Sequence, residues 1–163
     1  MPIGSVADAH EIGLISDTHG LLRPEVFAAF EGVELILHAG DVGADVLEEL
    51  EAIAPLLAVR GNTDSPGDPR LQEGVEREIG GVLVHVSHGH EVGSPTPDKL
   101  LSRYPATVIV YGHTHRPLVV RAGDRWVVNP GAAGPRRFDI QPSVARMTVD
   151  QGAIAIRLVE LRS

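Results

Sequence analysis

Two histidines close a β-branched apolar run in the stretch 107–115, T-V-I-V-Y-G-H-T-H. His113 and His115 are two residues apart, and side chains at i and i+2 of an extended chain point to the same side. Imidazoles that share one side at the end of a strand are candidate metal ligands. The alternative is an ordinary polar loop after a buried strand. The choice depends on whether other strand ends carry similar groups.

Similar groups follow four other apolar runs. Predicted strands at 11–16, 33–38, 56–59 and 82–87 lead into Asp17 with His19, Asp41, Asn62 and His88, respectively. Of the eight histidines, the six at predicted strand ends are His19, His38, His88, His90, His113 and His115. Histidines scattered over a core or a surface would show no such preference. The pattern therefore predicts a metal site.

The predicted ligand set has seven members: Asp17, His19, Asp41, Asn62, His88, His113 and His115. One transition-metal ion needs about four to six ligands, substrate and water included, so this number favours a pair of ions bridged by one carboxylate. The chain contains no cysteine, which leaves nitrogen and oxygen donors. Such a set suits Mn, Fe, Zn, Co or Ni, whereas calcium prefers an all-oxygen shell.

Strand and helix patterns alternate in the first half of the chain. Helices are predicted at 24–31 and 44–54, and the second has an apolar face made of Val46, Leu50, Ile53 and Ala54. This alternation is typical of an α/β fold whose sheet has parallel character. Ligands of such sheets bind at the carboxyl ends of the strands. The seven candidate ligands lie at such ends.

The second half begins with a predicted exposed loop at 65–74 and a hairpin of strands 75–79 and 82–87 around Gly80-Gly81. A third helix is predicted to begin at Pro97 with Thr96 as its N-cap and to bury Leu100, Leu101 and Tyr104. Only strands follow His115, at 118–122, 125–128, 144–149 and 153–161. We expect these last strands to form an antiparallel second sheet packed on the first.

Composition indicates one globular domain spanning residues 1–163, with residues 1–10 as a flexible N-terminal extension. The mean hydropathy is +0.05, and without a long apolar stretch or a secretory signal we expect a cytoplasmic protein that makes no membrane contact. The net charge of −8 argues against an extended nucleic-acid surface. A small anionic substrate would need local positive charge, which bound cations could supply.

The order of the motifs D-x-H, G-D, G-N, H-G-H and G-H-x-H, from Asp17 to an N-P-G turn at 129–131, resembles that of the calcineurin-like metallophosphoesterases. The closest resemblance is to their small single-domain bacterial and archaeal phosphodiesterases. It implies an α/β fold in which a two-sheet β-sandwich is flanked by helices, in four αββα layers, and makes a homodimer plausible. By the same resemblance, Asp17, His19 and His115 hold one ion, Asn62, His88 and His113 hold the other, and Asp41 bridges them.

The resemblance implies a phosphodiesterase with two divalent ions, Mn foremost, in which a metal-bridging hydroxide attacks a small phosphodiester. Larger relatives carry a histidine after the G-N motif that assists the leaving group, but here Thr63 takes that position. Asp64 matches the acidic residue that follows this histidine in the larger relatives. His90 is the nearest substitute imidazole, although a purely substrate-side role for His90 is as plausible. The candidate catalytic residues are Asp41, Asn62, Asp64 and His90.

Two other functions fit the same motifs. The scaffold subunit of the eukaryotic retromer complex resembles this branch in fold but has altered G-D and G-N motifs, whereas Asp41 and Asn62 are intact here. A phosphomonoesterase or nucleotide hydrolase could also use the same site, because loops such as 65–74 and 91–97 select the substrate.

The remaining polar candidates have weaker assignments. His38 is interpreted as a hydrogen-bond partner or packing residue behind the site, and Arg60 as an ion-pair residue in preference to a phosphate ligand. Arg136 and Arg137 either contact a bound anion or form a solvated pair. His10 and His85 are interpreted as structural or exposed.

Overall fold

The computed structural model describes residues 9–137 and 139–162. Its strands are β1 (Ala9–Ile15), β2 (Leu35–His38), β3 (Leu56–Val59), β4 (Leu71–Gln72), β5 (Gly74–Ile79), β6 (Val82–Ser87), β7 (Val108–Val110), β8 (Leu118–Ala122), β9 (Arg125–Asn129), β10 (Ser143–Asp150) and β11 (Ala153–Glu160). Its helices are α1 (Glu25–Ala29), α2 (Val46–Glu51) and α3 (Pro97–Arg103), with a 3-10 turn at His90–Val92. Most of the predicted N-terminal extension lies outside the described residues, and β1 begins within its last two.

The strands form two mixed sheets. The first sheet has the order β11-β10-β1-β2-β3-β4, and the second has the order β5-β6-β7-β9-β8. Neighbours are parallel from β1 to β4 and from β6 through β7 to β9. The predicted parallel character is therefore confirmed. The candidate ligands lie in the loops at the carboxyl ends of these parallel strands.

The prediction that the last strands form a separate antiparallel sheet is wrong. β8 and β9 pair with each other and extend the second sheet beside β7. β10 and β11 extend the first sheet instead, with Met147 of β10 opposite Ile12 of β1. Local turns decide that two strands form a hairpin, but long-range pairing decides which sheet the hairpin joins. A two-residue strand, β4, also lies inside the loop predicted at 65–74.

Because successive side chains of a strand point to opposite faces of the sheet, the buried apolar residues form three hydrophobic cores. In β1, Ile12 and Leu14 face the second sheet, whereas Ile15 faces α1 and α2. In β7, Val108 and Val110 belong to the core between the sheets, and Ile109 packs on the other side against α3. The resulting order is helix, sheet, sheet, helix, which confirms the predicted αββα sandwich.

The helices are shorter than predicted: α1 begins at Glu25, with Pro24 as its N-cap and not its first residue, and Leu100 is the buried residue of α3. Thr96 caps α3, where its side chain accepts a hydrogen bond from the Lys99 N–H at 3.3 Å. The buried residues of α2 are Val46, Leu47 and Leu50, so the predicted face omitted Leu47. Among the described residues, no helix has the length and apolar character to cross a bilayer.

Candidate metal centre

Asp17 follows β1 and is completely buried. Its Oδ2 atom accepts hydrogen bonds from the Ser16 hydroxyl at 2.6 Å and the His113 N–H at 3.1 Å. Its Oδ1 atom is buried without a hydrogen-bond partner among the described residues. The carboxylate is therefore held from one side and presents a bare oxygen on the other. Ser16 was not among the predicted site residues, although its position next to Asp17 was the available signal.

Asp41 follows β2 and repeats this arrangement. Its Oδ1 atom accepts a hydrogen bond from the Thr63 N–H at 2.9 Å. Its Oδ2 atom lies 3.2 Å from Nε2 of His88 and 3.7 Å from Nε2 of His19. Thr63, which replaces an expected histidine, thus contributes its backbone amide to the site.

Three imidazole nitrogens converge on the free oxygen of Asp17. Nε2 of His115 lies 3.3 Å from Oδ1, Nε2 of His19 lies 3.8 Å away, and Nε2 of His88 lies 3.9 Å away. Nε2 of His19 and Nε2 of His115 are 3.4 Å apart. The Nδ1 atom of His88 is 2.8 Å from the Ala39 carbonyl oxygen and donates its ring proton to it. Nε2 of His88 is therefore free to act as a metal ligand.

The donor atoms form two overlapping groups, each with atoms within 4.8 Å of one another. One contains Asp17, His19 and His115, and the other contains Asp17, Asp41 and His88. Bare, buried Asp17 Oδ1 and His88 Nε2 atoms would be costly without a partner. A cation between them removes that cost, so the residues fit a divalent metal. Nitrogen and carboxylate donors of this kind suit a first-row transition ion.

The two groups bear on the ligand assignment that the resemblance implied. The first group has the three members expected for one ion. In the second, Asp41 and His88 occur together as expected, but the residue common to both groups is Asp17, not the expected bridge Asp41. Oδ2 of Asp41 nevertheless lies within 4 Å of histidines from each group. Both carboxylates therefore face donor atoms of both groups.

Asn62 and His113 lie at the edge of these groups. The His113 ring is 5.1 Å from the His88 ring, nearly perpendicular to it, and His113 belongs to neither group. Asn62 is exposed, directly after Gly61. A Cβ atom on Gly61 would lie 2.1 Å from Oδ1 of Asp41, so only glycine allows the Asn62 loop to approach Asp41 this closely.

The ligand backbone is itself unusual. Eight described residues other than glycine have positive φ angles, and five of them are candidate ligands: Asp17, His19, Asp41, His113 and His115. This left-handed conformation costs roughly 1–2 kcal/mol per residue. Strained backbone is concentrated at functional sites because surrounding structure must enforce it. Here it turns the side chains after β1, β2 and β7 into one space.

Buried hydrogen bonds fix the loops behind the ligands. The Gly40 N–H donates to Nδ1 of His38 at 3.0 Å, and Nε2 of His38 lies 3.0 Å from the Thr18 hydroxyl. That hydroxyl donates to the Val42 carbonyl at 2.6 Å. Burial lowers the pKa of His38 to about 4, so its ring is neutral. His38 therefore joins the loops after β1 and β2, in the hydrogen-bonding role expected.

Asp64 binds three backbone amides. Its carboxylate accepts hydrogen bonds from Val42 N–H at 2.9 Å, Gly43 N–H at 3.2 Å and Gly61 N–H at 2.9 Å. These contacts tie the loop that carries Asp41 to the loop that carries Asn62. The structure thus gives Asp64 a positioning task alongside the predicted catalytic one.

His90 is half-buried beside the ligand histidines. Its ring lies 5.3 Å from the His88 ring and 6.2 Å from the His113 ring. Its Nδ1 atom has no hydrogen-bond partner among the described residues. The structure therefore places His90 near the site but outside the ligand groups.

The remaining candidates lie around the centre. Arg60 pairs with Glu73 at 2.8 Å, as expected of an ion-pair residue. Arg136 and Arg137 are exposed. His10 contacts Glu34 at 2.9 Å, and His85 stacks on Tyr104 with ring centroids 3.7 Å apart, which supports structural roles for both.

The electrostatics of the centre favour a cation. Burial alone would raise the pKa of Asp41, but the neighbouring His88 ring and the hydrogen bond from the Thr63 N–H hold it far below its usual range. Burial tends to lower the pKa of His88, but the carboxylates of Asp41 and Asp17 raise it. Burial lowers the pKa of His19, so that its ring is in the neutral form that binds metals. The two buried carboxylates, with the pKa of each below its usual range, give a strong local negative potential.

Comparison with known proteins agrees with this geometry. The chain is 40% identical over 151 residues to a probable metallophosphoesterase of Methanothermobacter thermautotrophicus, covering 85% of this chain and 86% of that protein. It is 31% identical over 147 residues to the phosphodiesterase YfcE of Escherichia coli strain K12, covering 72% of this chain and 76% of YfcE.

Vacuolar Protein Sorting 29 from Cryptosporidium parvum has the same fold, with a TM-score of 0.78, 22% identity and coverage of 95% of this chain and 99% of that one. Residues 1–152 match the calcineurin-like phosphoesterase superfamily domain. The chain therefore belongs to the calcineurin-like phosphoesterase superfamily.

Proposed function

We propose that this chain is a phosphodiesterase with a binuclear centre of divalent transition-metal ions, of which Mn is the first candidate. One observation carries the proposal. Asp17 and Asp41 each hold one carboxylate oxygen in hydrogen bonds and aim the other at converging Nε2 atoms of His19, His88 and His115. Such a cluster is an appropriate site for a pair of cations and, between them, a phosphate ester.

The proposed division of ligands is the one that the family resemblance implies, and its first set matches the donor group of Asp17, His19 and His115. Asp17, His19 and His115 would hold one ion, and His88 with Asn62 and His113 would hold the other, with Asp41 shared. When bound, the ions would lower the pKa of coordinated water and offset the charge of the phosphate. The protein contributes the fixed orientation of its ligands, since Ser16 and the backbone amides of Thr63 and His113 leave each carboxylate one orientation.

The chain offers little to protonate a leaving group. Thr63 stands where larger relatives have a histidine, and Asp64 has its carboxylate engaged by backbone amides. The imidazole of His90 is the remaining candidate to deliver a proton. We therefore propose that activated aryl diesters, which need no protonation, are hydrolysed faster than alkyl monoesters.

The decisive experiment uses stripped protein reloaded with Mn, Ni, Zn or Fe. Each form is assayed on aryl diesters, cyclic nucleotides and monoesters under matched conditions. Metal-dependent hydrolysis with a clear preference for aryl diesters is the expected result. Equal rates on aryl diesters and alkyl monoesters would contradict the diesterase assignment and favour a phosphomonoesterase or nucleotide hydrolase at the same centre.

A protein-interaction scaffold is the second candidate. The observation that favours it is the fold shared with Vacuolar Protein Sorting 29 at a TM-score of 0.78. The buried pair Asp17 and Asp41 favours the enzyme. Metal uptake without hydrolysis of any substrate would decide for the scaffold.

A further inference from the structure

A cavity of about 280 Å³ lies beside the candidate metal centre. It is enclosed by the loop before Asn62, the start of β5, the segment after β6 and the end of α3. Its lining includes Arg60, His85, His90, Glu91, Arg103 and Tyr104. The proposed ligands are not among them, so the cavity is a separate space.

The cavity adjoins the centre through two of its walls. His90 lines the cavity and its ring is 5.3 Å from that of His88. Arg60 also lines the cavity and precedes Gly61, whose backbone approaches Asp41. A phosphate ester at the centre would therefore have one of its alcohol groups within reach of the cavity.

The lining carries equal numbers of opposite charges. Arg60 and Arg103 supply guanidinium groups, and Glu73 and Glu91 supply carboxylates. Glu91 accepts hydrogen bonds from the Tyr104 hydroxyl at 2.7 Å and from Gly89 N–H at 2.9 Å. A second phosphate in the cavity would meet both carboxylates. Hydroxyl groups both donate and accept hydrogen bonds, so they are compatible with this mixed lining.

The lining also has unused hydrogen-bonding atoms. Nδ1 of His90 and Nε2 of His85 have no partner among the described residues. The Glu76 carboxylate lies 3.3 Å from Nδ1 of His85, so the ring proton belongs there and Nε2 is an acceptor. Burial lowers the pKa of His85, which keeps the ring neutral. The Arg103 guanidinium makes no hydrogen bond or ion pair with another described residue, and it lies 5.0 Å from the Tyr104 ring centre.

We propose that this cavity is a subsite for one alcohol group of the substrate and that it selects an uncharged, hydroxyl-bearing alcohol of the polyol or sugar type. The assignment rests on the proposed function, since it takes the phosphate to be at the metal centre. It gives Arg103, Glu91 and His90 the role of contacting the alcohol through hydrogen bonds.

Gly74 provides a variant that alters the cavity and leaves the metal ligands in place. A Cβ atom there would be 3.4 Å from Cε1 of His85, an ordinary contact, and Gly74 does not have a left-handed backbone. Gly74→Leu should therefore fold and fill part of the cavity. Gly67→Leu is the matched control, because Gly67 is exposed and a Cβ there would have Ser65 Oγ at 3.8 Å as its nearest neighbour.

Three phosphonates, which cannot be hydrolysed as esters, serve as probes for calorimetric titration of Mn-loaded protein. These are 3,4-dihydroxybutylphosphonate, butylphosphonate and butane-1,4-bisphosphonate. We expect the dihydroxy probe to bind about 10-fold more tightly than butylphosphonate, since two hydrogen bonds of ordinary strength give that difference. Gly74→Leu and Arg103→Gln should reduce this preference, whereas Gly67→Leu should preserve it.

Four results would overturn the subsite. They are equal affinity for the dihydroxy and plain probes, tighter binding of the bisphosphonate, a preference unchanged by Gly74→Leu, and no binding of any probe. The function itself is tested separately by metal-dependent hydrolysis of bis(p-nitrophenyl) phosphate in the same preparation. Hydrolysis without hydroxyl preference refutes the subsite alone, and hydroxyl preference without hydrolysis refutes the enzyme alone.

Discussion

Oδ2 of Asp41 and Nε2 of His88 lie 3.2 Å apart, and each side chain is held from behind by the backbone. The Thr63 N–H binds the other oxygen of Asp41, and the Ala39 carbonyl accepts from the other ring nitrogen of His88. The two facing atoms therefore cannot turn away from each other without losing a hydrogen bond. This preorganisation is what a metal centre needs from its protein.

Asp41→Asn is expected to reduce metal content and to lower kcat for an aryl diester by about 100-fold or more, because the substitution removes the anionic ligand that we propose the two ions share. Metal content is measured by mass spectrometry beside steady-state rates. Asp45→Asn is the control, since Asp45 is exposed and its side chain makes no capping hydrogen bond. Full metal content and turnover in Asp41→Asn would rule out the proposed mechanism.

Ser16→Ala removes the hydroxyl that binds Oδ2 of Asp17 at 2.6 Å. We expect metal affinity to fall by about 10-fold, the usual effect of losing a hydrogen bond to a ligand, with little loss of folding. Competition with a fluorescent chelator measures the metal affinity. The exposed Ser102→Ala variant in α3 should keep the wild-type affinity. An unchanged metal affinity in Ser16→Ala would mean that the backbone amide of His113 suffices to orient Asp17.

His113→Ala and His115→Ala should each lose a different ion. Nε2 of His115 faces Asp17, whereas the His113 ring lies against His88. Metal stoichiometry and Mn paramagnetic resonance of each variant distinguish the ion that remains. Identical residual spectra would show that both histidines serve one ion.

Asp64→Ala should destabilise the fold by about 2–4 kcal/mol, because charge-assisted hydrogen bonds to three amides are lost. Urea unfolding measures the loss of stability, and Asp124→Ala, a substitution in a turn, is the control. If Asp64 only positions the loops, the dependence of rate on leaving-group pKa stays as in the wild type. A steeper dependence in the variant would assign it the predicted catalytic role.

Glu11 provides a pH-dependent contribution to stability. Burial tends to raise its pKa, but hydrogen bonds from Thr148 and Arg146 hold it below the usual 4.5. Because the folded-state pKa is the lower one, the stabilisation is present above 4.5, the unfolded value, and is lost as pH falls through the folded value. Glu11→Gln should weaken this loss on acidification, whereas Glu49→Gln should not. Urea titrations at pH 7 and below 4 test the prediction, and equal losses in all three proteins would contradict it.

Much of the candidate site followed from local sequence. An apolar run that ends in Asp17, Asp41, His88 or His113 places each side chain at a strand end, because burial of the run and the adjoining turn are local properties. The hairpin around Gly80-Gly81 and the helix cap at Thr96 were predictable from local sequence for the same reason. The sheet membership of β10 and β11 did not, since it depends on pairing between residues more than a hundred positions apart, such as Ile12 and Met147.

The sequence by itself determined the fold class and the chemical types of the candidate ligands at the strand ends. Only the tertiary structure decided which oxygen of Asp17 and Asp41 is left bare, that Asp17 is common to both donor groups, and that α3 and β5 enclose a cavity beside His90. The reason is physical. Composition and periodicity set what each segment buries, whereas the contacts of individual atoms depend on the packing of segments that are distant along the chain.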